Sequence, residues 1–106
     1  MTRHDKLVRD RIPEIIERAG RRPAYRVLDG AAFRAALLLK LIEEAQEVCA
    51  AGDSERLSEF ADLAEVFEAA LAACGFTPED LSRTREARRT ERGGFARRIF
   101  LESVDG

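Results

Sequence analysis

Two pairs of carboxylates carry the most suggestive spacing in this chain, Glu44-x-x-Glu47 and Glu59-x-x-Asp62. Residues three apart on a helix share a face, with Cβ atoms about 5–6 Å apart. Leu37, Leu38, Leu41, Ile42, Ala45, Val48 and Cys49 recur at helical spacing around the first pair. Glu44 falls at the edge of that apolar arc, Lys40 and Glu47 lie just outside it, and Glu43 lies further round. Phe60, Leu63, Ala64, Phe67, Ala70, Leu71 and Cys74 form a second arc, with Val66 at one margin. Glu59 lies inside this second arc and Asp62 at its edge. A carboxylate on an apolar face must be desolvated, and that needs a compensating partner. An Arg from a later helix is one such partner; a cation shared by several carboxylates is another. Two like charges about 5 Å apart at an effective dielectric of about 20 repel by about 3 kcal/mol. Four carboxylates flanking one seam are therefore tolerable if protons are taken up or a cation sits among them. All-oxygen ligation suits Mg²⁺ or Mn²⁺. Glu43, Glu55, Glu65 and Glu68 are expected to be ordinary solvated surface.

The elements that must position these residues are mostly helical. Pro13 in a first turn and Gly20 as a stop frame a short helix within residues 9–19. Residues 24–28 alternate in polarity and predict a short strand. Asp29 suits the N-cap of a long helix over residues 30–51. After the break at Gly52, Asp53 or Ser54 is expected to cap a second long helix reaching Cys74 and ending on Gly75. Thr77-Pro78-Glu79-Asp80 is a strong helix start, and that fourth helix reaches Arg92 before Gly93-Gly94 breaks it. Residues 95–104 can form a final strand. The expected fold is mainly α: a helical bundle with two long antiparallel central helices and a minor two-stranded β element. Val66 and Ala73, together with Leu39, lie off the main arcs and would face a second copy, so the bundle is expected to be completed by dimerisation.

Length and composition restrict the function classes. The 106 residues suit a single domain spanning the whole chain, and a 45% hydrophobic content argues against wholesale disorder. The formal net charge is only −2, but residues 1–34 carry +4, residues 35–77 carry −7 and residues 78–106 carry +1. No apolar run approaches the ~20 residues that span a bilayer, and no secretory leader is expected. Cys49 and Cys74 sit in helical apolar patterns and are expected to be buried free thiols, as in a reducing cytoplasm. A lone His and no close Cys pair give zinc little support. The 16 Arg against 2 Lys are read as host coding bias.

Basic residues supply candidate anion contacts. Lys40 lies one turn before Glu44 and either reaches a phosphate or pairs with Glu44. Lys6, Arg9 and Arg11 precede the first helix. Arg85, Arg88, Arg89 and Arg92 form a stripe on the fourth, with Arg92 beside the flexible Gly93-Gly94 turn. Interspersed acids and the lack of aromatics in this stripe argue against nucleic acid as its partner.

The acidic quartet resembles the mark of the MazG-like, all-α nucleoside triphosphate pyrophosphohydrolases, which include phosphoribosyl-ATP pyrophosphohydrolase. It is carried by Lys40-Leu41-Ile42-Glu43-Glu44-Ala45-Gln46-Glu47 and then Glu59-Phe60-Ala61-Asp62-Leu63. Lys6-Leu7-Val8-Arg9-Asp10-Arg11-Ile12-Pro13-Glu14-Ile15-Ile16 is similar to the opening of small stand-alone members. Glu91-Arg92-Gly93-Gly94-Phe95, followed by Ile99-Phe100-Leu101, is similar to their closing segment. The resemblance implies Mg²⁺-dependent cleavage of a nucleoside triphosphate, or a similar nucleotide, to monophosphate and pyrophosphate. It places metal and catalysis on Glu44, Glu47, Glu59 and Asp62. Among the basic residues above, Lys40, Lys6, Arg9 and Arg92 are the phosphate-binding candidates. The resemblance also implies a homodimer. The rival reading is a non-catalytic nucleotide-sensing or protein-interaction module, in which four crowded acids have no necessary role.

Overall fold

The computed structural model describes residues 5–106. Four helices follow in order: α1 (Ile12–Arg18), α2 (Gly30–Ala50), α3 (Asp53–Ala73) and α4 (Pro78–Arg92). The chain divides into two compact units, one ending at Gly75 and the other running from Phe76 to Gly106. The fold is mainly α. No described helix is long and apolar enough to cross a membrane.

In the first unit, α2 and α3 form a helical hairpin, and their mutual packing is the extensive helix–helix contact among the described residues. Local sequence sets its ends. The Asp29 side chain accepts a hydrogen bond from the Ala32 backbone N–H at 2.9 Å, capping α2 as expected. The cap of α3 differs: Gly52 is its N-cap, without a side-chain cap bond, and Asp53 opens the helix. Gly75, at φ +86°, takes the left-handed conformation that follows many helix ends.

Arg56 joins the two helices. Its Nε donates to the Val48 carbonyl at 3.1 Å, one terminal nitrogen donates to the Ala51 carbonyl, and the other pairs with Asp53 at 2.6 Å. One guanidinium thus satisfies carbonyls left without partners where α2 ends. Arg56→Ala leaves those part-buried carbonyls short of a donor. A loss of about 1–3 kcal/mol is expected, read as a lower urea midpoint with an unchanged slope.

The core consists of Leu37, Val66 and Ala70, with Leu7, Leu41, Ala69 and Ala73 packed against it. This corrects the helical-wheel expectation for α3. Val66 and Ala73, expected to face a second copy, are core or core-packed, whereas Phe60 and Phe67 of the expected arc are largely exposed. Close approach of two helices favours small side chains at the contact, and Ala69, Ala70 and Ala73 provide them. Leu38, Leu39 and Ile42 of α2 are also exposed. Both cysteines are free, but Cys49 is exposed and Cys74 half-buried, so the expectation of two buried thiols is corrected. Cys49 is one position on from Val48 and turned away from the stripe that faces α3.

No strand forms among the described residues, so the expected two-stranded element is also corrected. Residues 24–28 and 95–104 belong to different units, and neither finds the ladder partner a strand requires. Tyr25, Val27, Phe95 and Phe100 remain exposed.

In the second unit, α4 opens with a complete capping box. The Asp80 backbone N–H donates to Thr77 Oγ1 at 3.1 Å, and the Thr77 backbone N–H donates to Asp80 Oδ2 at 2.9 Å. These bonds, the backbone one foremost, hold the Asp80 carboxyl below its usual range, with Arg83 helping. A depressed acid stabilises the fold at neutral pH, and that contribution disappears as pH falls through the folded value. Helical signal in circular dichroism is therefore expected to decline on acidification less in Asp80→Asn than in the native chain. Thr77→Ala is expected to cost α4 about 1 kcal/mol.

Candidate metal centre

The acidic residues lie where the hairpin's core stripe runs towards the α2–α3 connection. On α2 the stripe reads Leu37, Leu41, Glu44, Val48, in steps of three and four. On α3, read back from the core, it runs Val66, Asp62, Glu59 by the same steps. Glu44 and Glu59 are equally distant along the chain from the Ala51–Gly52 connection, so antiparallel packing sets them opposite each other. The result is a group in which Glu44, Glu59 and Asp62 each offer a carboxylate oxygen, all within 4.8 Å of one another. All three residues are half-buried.

Glu47 stands outside that trio and is exposed. It is near enough to act on the group electrostatically. Partial burial pushes the Glu59 carboxyl above its ordinary range, and the Asp62, Glu47 and Glu44 carboxylates push in the same direction. The site thus disfavours the charge on Glu59, as expected for an acid placed on the core-facing stripe.

Two cations answer this charge within the same unit. Arg9, from the segment before α1, donates to Asp62 Oδ1 at 2.8 Å. Lys40 Nζ lies 3.7 Å from Glu44 Oε1, with only 20% and 16% of the two side chains exposed. The i,i+4 pair considered for Lys40 therefore forms. Lys40 also lines a surface depression with Lys6, Leu39 and Glu43, which brings two of the phosphate-binding candidates together. Arg11 pairs with Glu14 instead. Arg92 occupies the last turn of α4, in the second unit, before Gly93 at φ +82°. Spacing gave no signal for the Arg9–Asp62 pair. Its partners are 53 residues apart, and they meet where Leu7 packs the N-terminal segment against the hairpin core.

The donor set fits a hard divalent cation. Three carboxylate oxygens within one another's reach supply oxygen-only ligation and negative charge, and no Cys or His belongs to the group.

Comparison with known proteins adds one local likeness. Over 46 residues the chain is 52% identical to an uncharacterised protein of Mycolicibacterium smegmatis (strain ATCC 700084 / mc(2)155). The match covers 43% of this chain and 47% of that protein, so it spans about half of the relative's length. No family model matches the chain. No solved structure matches it.

Proposed function

We propose that the chain is a Mg²⁺-dependent pyrophosphohydrolase, converting a nucleoside triphosphate or related nucleotide to the monophosphate and pyrophosphate, with Mn²⁺ as a substitute. The observation that carries this reading is the convergence of Glu44, Glu59 and Asp62 oxygens within 4.8 Å, bordered by Arg9 and Lys40. The resemblance of the full quartet to the MazG-like pyrophosphohydrolases supports it. Glu44, Glu59 and Asp62 hold the cation, and Glu47 strengthens the local negative potential and is available to a second ion. Bound there, the cation supplies charge neutralisation on the polyphosphate and a lowered pKa for an attacking water. Lys40 and Lys6 meet phosphate oxygens across their shared depression. One carboxylate left off the cation can accept the water's proton.

The test is pyrophosphate release from a panel of canonical and damaged (d)NTPs with Mg²⁺, in the native protein and in Glu59→Gln and Asp62→Asn. Release that both substitutions abolish supports the enzyme. Metal-dependent nucleotide binding without release leaves a nucleotide sensor. Neither binding nor release overturns the reading.

A homodimer belongs to the same reading. Leu38, Leu39 and Ile42 of α2 and Phe60 and Phe67 of α3 leave a two-helix hairpin with more apolar surface than it covers. Light scattering should give twice the 11.9 kDa chain mass.

A further inference from the structure

We propose that Arg9 is an exchangeable counter-ion: it holds Asp62 while the acidic group lacks a cation, and moves to the substrate's phosphates once a divalent cation takes that carboxylate. This rests on the metal-centre reading and adds to it an internal competitor for the cation.

The backbone around Arg9 is tied at both sides. Leu7 packs against the hairpin core, and the Arg9 carbonyl accepts a 3.0 Å hydrogen bond from the Ile12 N–H where α1 begins. The side chain reaches across to α3 and donates to Asp62 Oδ1 at 2.8 Å. Asp62 is one of the three carboxylates that share the cluster, so this hydrogen bond and a metal–oxygen bond draw on the same acid. The pair is also open to solvent, with 55% of the Arg9 and 48% of the Asp62 side chain exposed. Pairs this exposed contribute little to stability, so breaking one costs little beside the gain from a divalent cation. With the main chain anchored, a change of rotamer is enough to release the guanidinium. Its planar fork then stays beside the centre, where it can form paired hydrogen bonds with phosphate oxygens. Lys40, the other cation described at the group, is much less exposed and is paired with Glu44 one turn away on its own helix, so it would meet phosphate from where it stands without leaving a ligand on another helix.

The exchange predicts effects of opposite sign. Mn²⁺ alone, titrated by electron paramagnetic resonance, should bind Arg9→Ala about two- to fivefold more tightly than the native chain, the competition of one exposed ion pair being removed. Pyrophosphate added with saturating Mg²⁺ should bind Arg9→Ala more weakly than the native chain. Arg11→Ala removes a charge two residues away that is paired with Glu14, and serves as the control for a general field effect. In ¹⁵N spectra, the Arg9 Nε–H signal, assigned by its loss in Arg9→Lys, should shift on addition of Mg²⁺. Equal Mn²⁺ affinity in Arg9→Ala and the native chain, or an equal gain in Arg11→Ala, overturns the exchange and leaves the metal centre standing. No Mn²⁺ binding by the native chain overturns the metal centre itself, and the exchange with it.

Discussion

If the proposed pyrophosphohydrolase reading holds, replacing Glu59 with Gln is expected to cut pyrophosphate release sharply, while making the metal-free protein harder to unfold at neutral pH. The catalytic half follows from the centre. Glu59 supplies one of three clustered oxygens, and losing an anionic ligand weakens cation binding and the stabilisation of phosphate charge that depends on it. A fall of roughly 100-fold or more in release is expected. The stability half follows from the raised Glu59 pKa, caused by partial burial and by the Asp62, Glu47 and Glu44 carboxylates. A carboxyl that holds its proton to higher pH when folded than when unfolded favours the fold in acid. That advantage is lost as pH rises from the unfolded value through the folded one. Gln carries no charge and escapes the loss. Thermal unfolding without divalent metal should therefore show Glu59→Gln above the native chain at about pH 7, with the two converging near pH 4. Adding Mg²⁺ should raise the native midpoint and leave that of the variant almost unchanged, because a ligand bound only by the folded state stabilises it. A variant less stable than the native chain at neutral pH, without metal, would contradict the strain assigned to Glu59.

Leu37→Ala should unfold the hairpin more readily than any surface change in the chain. Leu37 is 3% exposed and sits opposite Val66 and Ala70, the other two buried core residues among those described. Truncating such a leucine removes its transfer energy and leaves a cavity, at a cost of about 2–5 kcal/mol. Against a typical total of about 5–15 kcal/mol, that is a large share. Leu57 provides the contrast: it lies on α3 but is 81% exposed, so Leu57→Ala is expected to stay within about 0.5 kcal/mol of the native chain. Urea unfolding followed by circular dichroism distinguishes the two. Leu37→Ala should also weaken Mn²⁺ binding, because Leu41 and Glu44 continue the stripe that Leu37 begins.

Much of this was legible along the chain, for local reasons. Asp29 caps α2 through a bond to a residue three positions on, and Thr77, Pro78 and Asp80 start α4 within a single turn. Such signals need no tertiary partner. The same is true of Gly75, whose positive φ ends α3's turn. Hydrophobic periodicity located α2 and α3 but misplaced the buried face of α3. The wheel weights Phe60 and Phe67 by size, whereas the helix contact selects the small Ala69, Ala70 and Ala73 beside Val66. The strands expected at residues 24–28 and 95–104 failed because alternation specifies a side-chain pattern and supplies no ladder partner.

The sequence by itself determined the helices, the caps of α2 and α4, the short α2–α3 connection and the four acids carried on that hairpin. Helical spacing and a two-sided turn are enough for that. Tertiary structure decided which acids meet: the rotation of α3 against α2 gathers Glu44, Glu59 and Asp62 and leaves Glu47 at the rim. It also decided their counter-ions, since Arg9 meets Asp62 from an N-terminal segment whose Leu7 packs against the hairpin core. Rotation and anchoring are set by close packing between distant segments, and no local pattern encodes them.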